Sequence, residues 1–169
     1  MRLVGIVLVI ALASVVFGLW WVTRPSPATV TVYFVRDDGT AGIVVPVTRT
    51  VRARGTAPLA AAALRGMLAG PTDAERASGL TTAIPQGTSL RRVALERGVV
   101  IADFSRSVES GGGSASMLGR FWQIVYTATQ FPDAPRVRIL IDGQQRESMG
   151  GEGVLIDRPI ARPETVPRF

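Results

Sequence analysis

The side chains on which an enzyme would have to rely are scarce in this sequence. It has no cysteine and no histidine, and all nineteen basic residues are arginine. That removes the usual general base, the commonest metal ligand, thiolate chemistry, the Schiff-base amine and the lysine of a phosphate-binding loop. Acid–base work would fall to carboxylates. Asp103, Glu109 and Glu152 are the only loosely grouped candidates. They would suit a carbohydrate- or wall-polymer-hydrolysing site, which needs two carboxylates about 5 to 10 Å apart across a groove. Their spacing along the chain does not promise that arrangement.

Two glycine-containing stretches invite other chemistry and fall short of it. Gly111-Gly112-Gly113-Ser114 precedes the longest helical pattern, as a phosphate cradle would. The Lys-Ser/Thr ending of a P-loop and the spacing of a dinucleotide fingerprint are both missing. A flexible loop with Ser114 as N-cap accounts for it better. Asp37-Asp38-Gly39 lacks the spaced oxygen ligands of a calcium loop and reads as a turn. No catalytic residue, cofactor or metal is therefore expected, and the chain is read as a non-enzyme.

The elements around these residues begin with an apolar stretch. Leu3 to Val22 carries no charge and closes on Trp20-Trp21 before Thr23, Arg24 and Pro25. About twenty residues at about 1.5 Å each reach roughly 30 Å, a bilayer's hydrocarbon thickness, and the paired Trp sit where an interfacial belt would. Ala11-Leu12-Ala13 also matches a signal-peptidase pattern, but the apolar run continues well past it. The expectation is an uncleaved membrane anchor over residues 1–24, followed by a linker at 25–28. Arg2 before the span and Arg24 and Arg36 after it leave the orientation open by charge count.

Beyond Arg24, seventeen arginines face all thirteen acids, a net charge of +4. Arg49, Arg52 and Arg54 cluster, as do Arg91 and Arg92, and Arg136 and Arg138. Each group lies on or beside an alternating strand and reads as solvated outer-face charge. No nucleic-acid partner is expected. A patch facing anionic lipid or wall polymer is the alternative.

Thr29 to Val35 alternates, with Val30, Val32 and Phe34 on one side; Ile43 to Arg52 returns, with Pro46 hinting at an edge. Thr56 opens a helix running to Ala69, stopped by Gly70-Pro71. Thr72 and Glu75 form a capping-box pattern, and Leu80 and Ile84 are expected to plug the core edge. Leu90 to Leu95 and Val99 to Phe104 flank a tight turn, with Val93, Leu95, Val100, Ala102 and Phe104 inward and Asp103 outward. In the helix from Ala115 to Gln130, Arg120, Gln123, Thr127 and Gln130 form one narrow polar stripe. Apolar residues cover the rest, a wider arc than a helix on one sheet needs. Met117, Phe121, Ile124 and Tyr126 are accordingly the candidate partner surface. Arg136 to Ile141 is the last clear strand, Asp142-Gly143 turns it, and Gln144 to Glu147 can pair back. Pro159, Pro163 and Pro167 make residues 158–169 an extended tail. The expected class is α+β: a two-layer sandwich, a mainly antiparallel sheet with two helices on one face, nearest to a split βαβ arrangement.

Several stretches, in order, resemble the GerMN domain family. They are the helix from Pro58 to Leu68, Ala69-Gly70-Pro71-Thr72, Gly79 to Thr88, Ala102-Asp103-Phe104-Ser105, Gln123 to Phe131, Val137 to Gly143 and Gly150-Gly151-Glu152-Gly153. The resemblance covers about residues 30–160, and the domain is expected at 29–157. It implies a bacterial, extracytoplasmic domain with a fold like the ring-building motifs of sporulation assemblies, commonly held by a lipoprotein anchor or a membrane span. It implies no catalytic site, so none is carried over. One copy, behind an apolar helix rather than a lipidated cysteine, departs from the tandem form.

The resulting expectation is a single-pass protein of the cell membrane, anchored through residues 3–22 with its domain outside. There it would act as a non-catalytic interaction or assembly module of the envelope, linked to sporulation, germination or cell-wall processes. Its partner would be an envelope protein or another copy. The alternative is an envelope domain that binds or hydrolyses carbohydrate or peptidoglycan through Asp and Glu.

Overall fold

A computed structural model describes residues 24–150 and 153–169, together with Ser14 and Gly18. The span expected over residues 3–22 falls, those two residues apart, outside the described residues, as does Glu152. Among the described residues no helix is long and apolar enough to cross a membrane.

The chain begins as a long hairpin. Strands β1 (Pro27–Asp37) and β2 (Gly42–Arg52) pair antiparallel from Pro27 opposite Arg52 to Asp37 opposite Gly42. Alternation sends Val30, Val32 and Phe34 into the core, as expected. Helix α1 (Thr56–Leu68) follows with Gly55 as its N-cap, and Thr56 is its first helical residue. The short α2 (Asp73–Ala77) carries the predicted capping box between Thr72 and Glu75. Leu80 and Ile84 are buried in the loop beyond it.

Strands β3 (Leu90–Glu96) and β4 (Val99–Phe104) form the second hairpin. Arg97 and Gly98 both have positive φ, the primed turn whose twist suits a two-residue hairpin connection. A 3-10 turn at Arg106–Glu109 leads to α3 (Ser114–Ala128), which returns the chain to β5 (Arg136–Ile141). Ser114 is the first helical residue of α3 and Gly113 its N-cap, one position earlier than expected. β5 lies parallel to β4, and Val137, Ile139 and Ile141 are fully buried. Gln144 makes only a single bridge to Ile141 instead of the expected return strand. A small pair, β6 (Ser148–Met149) and β7 (Val154–Leu155), follows, and β8 (Ile160–Ala161) adds to the edge of β5.

The α+β class stands, with a helical layer against a mixed sheet of order β3-β4-β5-β8. The first hairpin is not part of that sheet but forms a separate two-stranded ribbon. Helices α1 and α3 touch each other and contact both the ribbon and the sheet. One hydrophobic cluster unites all the layers, from Val32, Phe34, Leu64 and Met67 to Phe104, Ile124, Ile139 and Ile156. Each large side chain withdrawn from water contributes about 1.5 to 3 kcal/mol, so this cluster rather than any covalent staple holds the fold. Gly66 permits the closest packing of α1 on the ribbon, because a Cβ there would lie 3.2 Å from a Val32 methyl.

The tail is more structured than its prolines suggest. From β8 it crosses the outside of α3, where the Arg162 guanidinium lies 5.2 and 5.1 Å from the ring centres of Tyr33 and Tyr126. Arg162 also donates to Thr129 Oγ1 at 3.0 Å and to the Tyr126 carbonyl. Arg168 pairs with Asp38, and Phe169 exchanges two backbone hydrogen bonds with Gly42. The Phe169 ring fills the space that side chains at Gly42 and Gly119 would need.

Candidate functional site

The polar stripe of α3 faces inward. Gln123 and Thr127 are fully buried and Arg120 is 1% exposed. The stripe runs antiparallel to β1 along the edge that β2 leaves free. Thr31 donates its N–H to Gln130 Oε1 at 2.7 Å and accepts from Gln130 Nε2 at 2.8 Å. Tyr33 donates to Thr127 Oγ1 at 3.2 Å and accepts from Gln123 Nε2 at 3.0 Å. Val35 completes the edge with Thr81 in both directions. An unpaired strand edge is a liability, and here helix side chains take the place of a third strand. Arg120 continues the stripe into the glycine-rich loop. Its guanidinium donates to the carbonyls of Val108 at 2.6 Å, Gly111 at 3.0 Å, Ala83 at 3.2 Å and Ser110 at 3.3 Å. Burial pushes its pKa down. The loop thus packs around an arginine instead of cradling an anion.

That orientation corrects the expected partner surface. Met117, Phe121, Ile124 and Tyr126 are 2, 6, 0 and 5% exposed, so these side chains are core. With its polar residues committed to β1, α3 turns its apolar arc to the sheet, α1 and the tail. Burial pushes the Tyr126 phenol pKa up, against the opposing pull of Arg162.

The two described candidate acids, Asp103 and Glu109, are each engaged separately. Asp103, expected outward, is 6% exposed. Its Oδ1 accepts the Gly143 N–H at 2.8 Å, which fastens the turn after β5 to β4, and Arg91 lies 3.4 Å from its Oδ2. Glu109 accepts the Gly150 N–H at 3.0 Å. Each carboxylate holds a different loop. No group of three or more His, Cys, Asp or Glu is placed to hold a metal among the described residues.

What remains open is the outer face of the sheet. The register aligns Ala94, Ile101 and Arg138 across β3, β4 and β5, with Glu96, Val99 and Arg136 in the next row. A shallow groove of about 750 Å³ lies over this face, floored by Val99, Ile101 and Leu140 and rimmed by Arg92, Arg97 and Arg138. Glu96 is the one acid lining it. Arg92 and Arg97 make no ion pair among the described residues, while Arg138 donates to Gln145 Oε1 at 2.5 Å. The arrangement offers guanidinium donors around an apolar floor and no nucleophile, so its chemistry is recognition. Sequence reasoning passed over this face because the arginines read as solvated singly. The available signal was β4 itself: Val99-Val100-Ile101-Ala102 is apolar on both faces, which a strand with one wet face does not need. Leu95, expected inward, is 38% exposed next to the Arg97-Gly98 turn.

Residues 31–147 match the family described as "Germane: Sporulation and spore germination". Among solved structures, the tandem GerMN domains of the sporulation protein GerM from Bacillus subtilis are similar at 24% identity and a TM-score of 0.66, over 83% of this chain. The chain spans 48% of that tandem structure's length. The first GerMN domain of the same protein is similar at 18% identity and a TM-score of 0.57, covering 80% of this chain and 98% of that one. A provisionally assigned lipoprotein from Clostridium perfringens matches at 20% identity and a TM-score of 0.58, over 84% of this chain and 91% of that one. These likenesses establish the fold. No curated protein matches the sequence. The family match, which takes in more than half of the chain and contains both the stripe of α3 and the grooved sheet, shows that the protein belongs to the Germane family of sporulation and spore germination domains.

Proposed function

We propose that this protein is a non-catalytic interaction module of the bacterial envelope. Residues 3–22 hold it in the membrane, its GerMN-type domain lies outside the cytoplasm, and a partner protein seats on the outer face of the β3-β4-β5 sheet. The observation that carries this reading is the groove, where three arginines and one glutamate rim an apolar floor. Guanidinium groups at the rim of an apolar floor favour an acidic and partly apolar protein segment. The outward topology and the link to sporulation or cell-wall processes draw on the family, whose members include domains of the sporulation protein GerM. The carbohydrate-hydrolase alternative loses support because Asp103 and Glu109 are each engaged by a backbone amide of a separate loop.

The test is photocrosslinking in the native membrane. A crosslinking residue at Arg97, on the groove rim, is compared with one at the exposed Ser78, the C-cap of α2, which does not line the groove. One defined adduct from position 97 and none from 78 is the expected result; an adduct of twice the monomer mass would name a second copy as the partner. Equal background from both positions overturns the groove as the partner site.

A further inference from the structure

A second cationic depression lies where the domain meets the expected membrane span. Pro27 pairs with Arg52, and Ala53 donates its N–H to Ser26 O at 3.2 Å, so the first and last residues of the ribbon meet at one end. Across from them α1 presents Pro58, Ala61, Ala62 and Arg65, the i, i+3, i+4, i+7 positions of one helix face. Together with Pro25, Arg52 and Arg54 they line a depression of about 330 Å³ with three guanidinium groups and no carboxylate. Arg49, grouped with Arg52 and Arg54 in the sequence, is drawn away: Glu75 binds both of its terminal nitrogens at 2.6 Å. Arg52, Arg54 and Arg65 stay exposed.

We infer that this depression binds the phosphate headgroups of anionic lipids in the leaflet that the span enters, and so fixes the domain's orientation on the membrane. The inference rests on the anchor reading given above. Pro25 follows Val22 by three residues, which at full extension reach only about 10 Å. That equals roughly one Debye length at physiological salt, so these arginines stand within electrostatic reach of the headgroups. A guanidinium is weakly hydrated and matches a phosphate bidentately, which suits it to a half-dry interface. The alanines matter because they are short: a headgroup can approach the arginines without displacing long side chains. Each arginine near an anionic surface increases association roughly fivefold.

The experiment uses the full chain in vesicles of phosphatidylcholine alone and of phosphatidylcholine with phosphatidylglycerol. Flotation with the neutral vesicles reports the anchor, and amide hydrogen exchange over residues 50–66 reports the contact. The expected result is flotation with both, with exchange slowed only in the anionic vesicles. That slowing should vanish in 1 M salt, where the Debye length is about 3 Å, and in the Arg52→Gln, Arg65→Gln double variant. Both positions are exposed, so the fold and the exchange of β4 and β5 should be unchanged. Equal exchange in the two vesicle types, or slowing that survives in the double variant, overturns the lipid site while leaving the anchor intact. Failure to float with neutral vesicles overturns the anchor instead.

Discussion

Replacing Gln123 by leucine tests whether α3 acts as a substitute strand. Leucine has a similar volume, so the helix backbone and the packing around it can persist. What disappears are the hydrogen bonds to Tyr33 O at 3.0 Å and from Ala83 N at 2.6 Å, both at a side chain with no exposure. Each buried backbone group left unpaired costs about 1 to 3 kcal/mol. The apolar leucine recovers about 1 to 2 kcal/mol through burial. Mid-values, about 4 kcal/mol for the two groups less about 1.5 kcal/mol recovered, give a net loss of about 2.5 kcal/mol, a large share of the roughly 5 to 15 kcal/mol available to a domain. At about 2 to 4 °C per kcal/mol for a chain of this size, Tm should fall by about 5 to 10 °C. Urea unfolding of wild type and variant, followed by circular dichroism at matched m-value, measures it. Gln123→Glu sharpens the test. Its carboxylate still accepts from Ala83 but faces the Tyr33 carbonyl with no proton to give. Burial would raise its folded pKa above the unfolded value. The variant should therefore be closest to wild type below the ordinary carboxylate range and fall behind as pH rises through the folded pKa. A leucine variant within about 0.5 kcal/mol of wild type would refute the reasoning, since surface substitutions cost no more than that.

Hydrogen bonding to Arg49 holds the Glu75 pKa down at about 2, so the pair's contribution is complete above about 4.5 and is lost as pH falls towards 2. For this partly exposed pair it should amount to about 1 kcal/mol, and Arg49→Met should flatten the acid limb of a stability–pH curve. Arg120→Met leaves the carbonyls of Ala83, Val108, Ser110 and Gly111 without their donor. The expected loss is at least about 3 kcal/mol, with protease cleavage appearing in the loop at 110–113, because hydrogen bonds from a charged donor are worth about 1.5 to 3 kcal/mol each. Gly42→Ala would set a Cβ 2.6 Å from the Phe169 ring, and Gly119→Ala one at 2.8 Å. Either should release the end of the tail, read as faster amide exchange at Phe169 with little change in β4 or β5.

The ribbon and β5 were legible because each alternates at the period of a strand, and the second hairpin because Glu96-Arg97-Gly98 marks a tight turn between two apolar runs. The stripe of α3 was equally legible as a stripe, since Arg120, Gln123, Thr127 and Gln130 stand at helical spacing. Its direction was not. A narrow polar line on an apolar helix ordinarily points to water, and nothing local to the helix reveals that Thr31 and Tyr33, some ninety residues away, need partners for their backbone. Missing that inversion put Met117, Phe121, Ile124 and Tyr126 on the wrong side of the molecule. The tail was illegible for a different reason. Its prolines exclude a helix and weaken a strand, but an extended segment needs only two residues to add to β5 and one arginine to reach Tyr33 and Tyr126. Asp103 reads as outward from parity alone, and its burial comes from the turn at Gly143 folding back over it.

The burial of α3's apolar arc constrains how strongly a partner can bind. With those side chains in the core, apolar association energy must come from Val99, Ile101 and Leu140, of which Val99 is already 8% exposed. At about 25 cal/mol per Å² so small a floor supplies only a few kcal/mol, which the loss of translational and rotational freedom largely offsets. Arg92, Arg97 and Arg138 must then supply most of the discrimination, and charges at a rim act chiefly on encounter rate and partner choice. The groove is therefore suited to a weak contact, and on the proposed membrane-anchored reading a partner in the same membrane would be kept close, with effective concentration replacing affinity. Two consequences follow for the crosslinking experiment. The adduct at position 97 should decline steeply when salt is raised before irradiation, because the Debye length shrinks to about 3 Å at 1 M. It should also be lost on solubilisation in detergent, although the fold survives. An adduct indifferent to both treatments would mean that the partner is held by a buried apolar interface, which this groove does not provide.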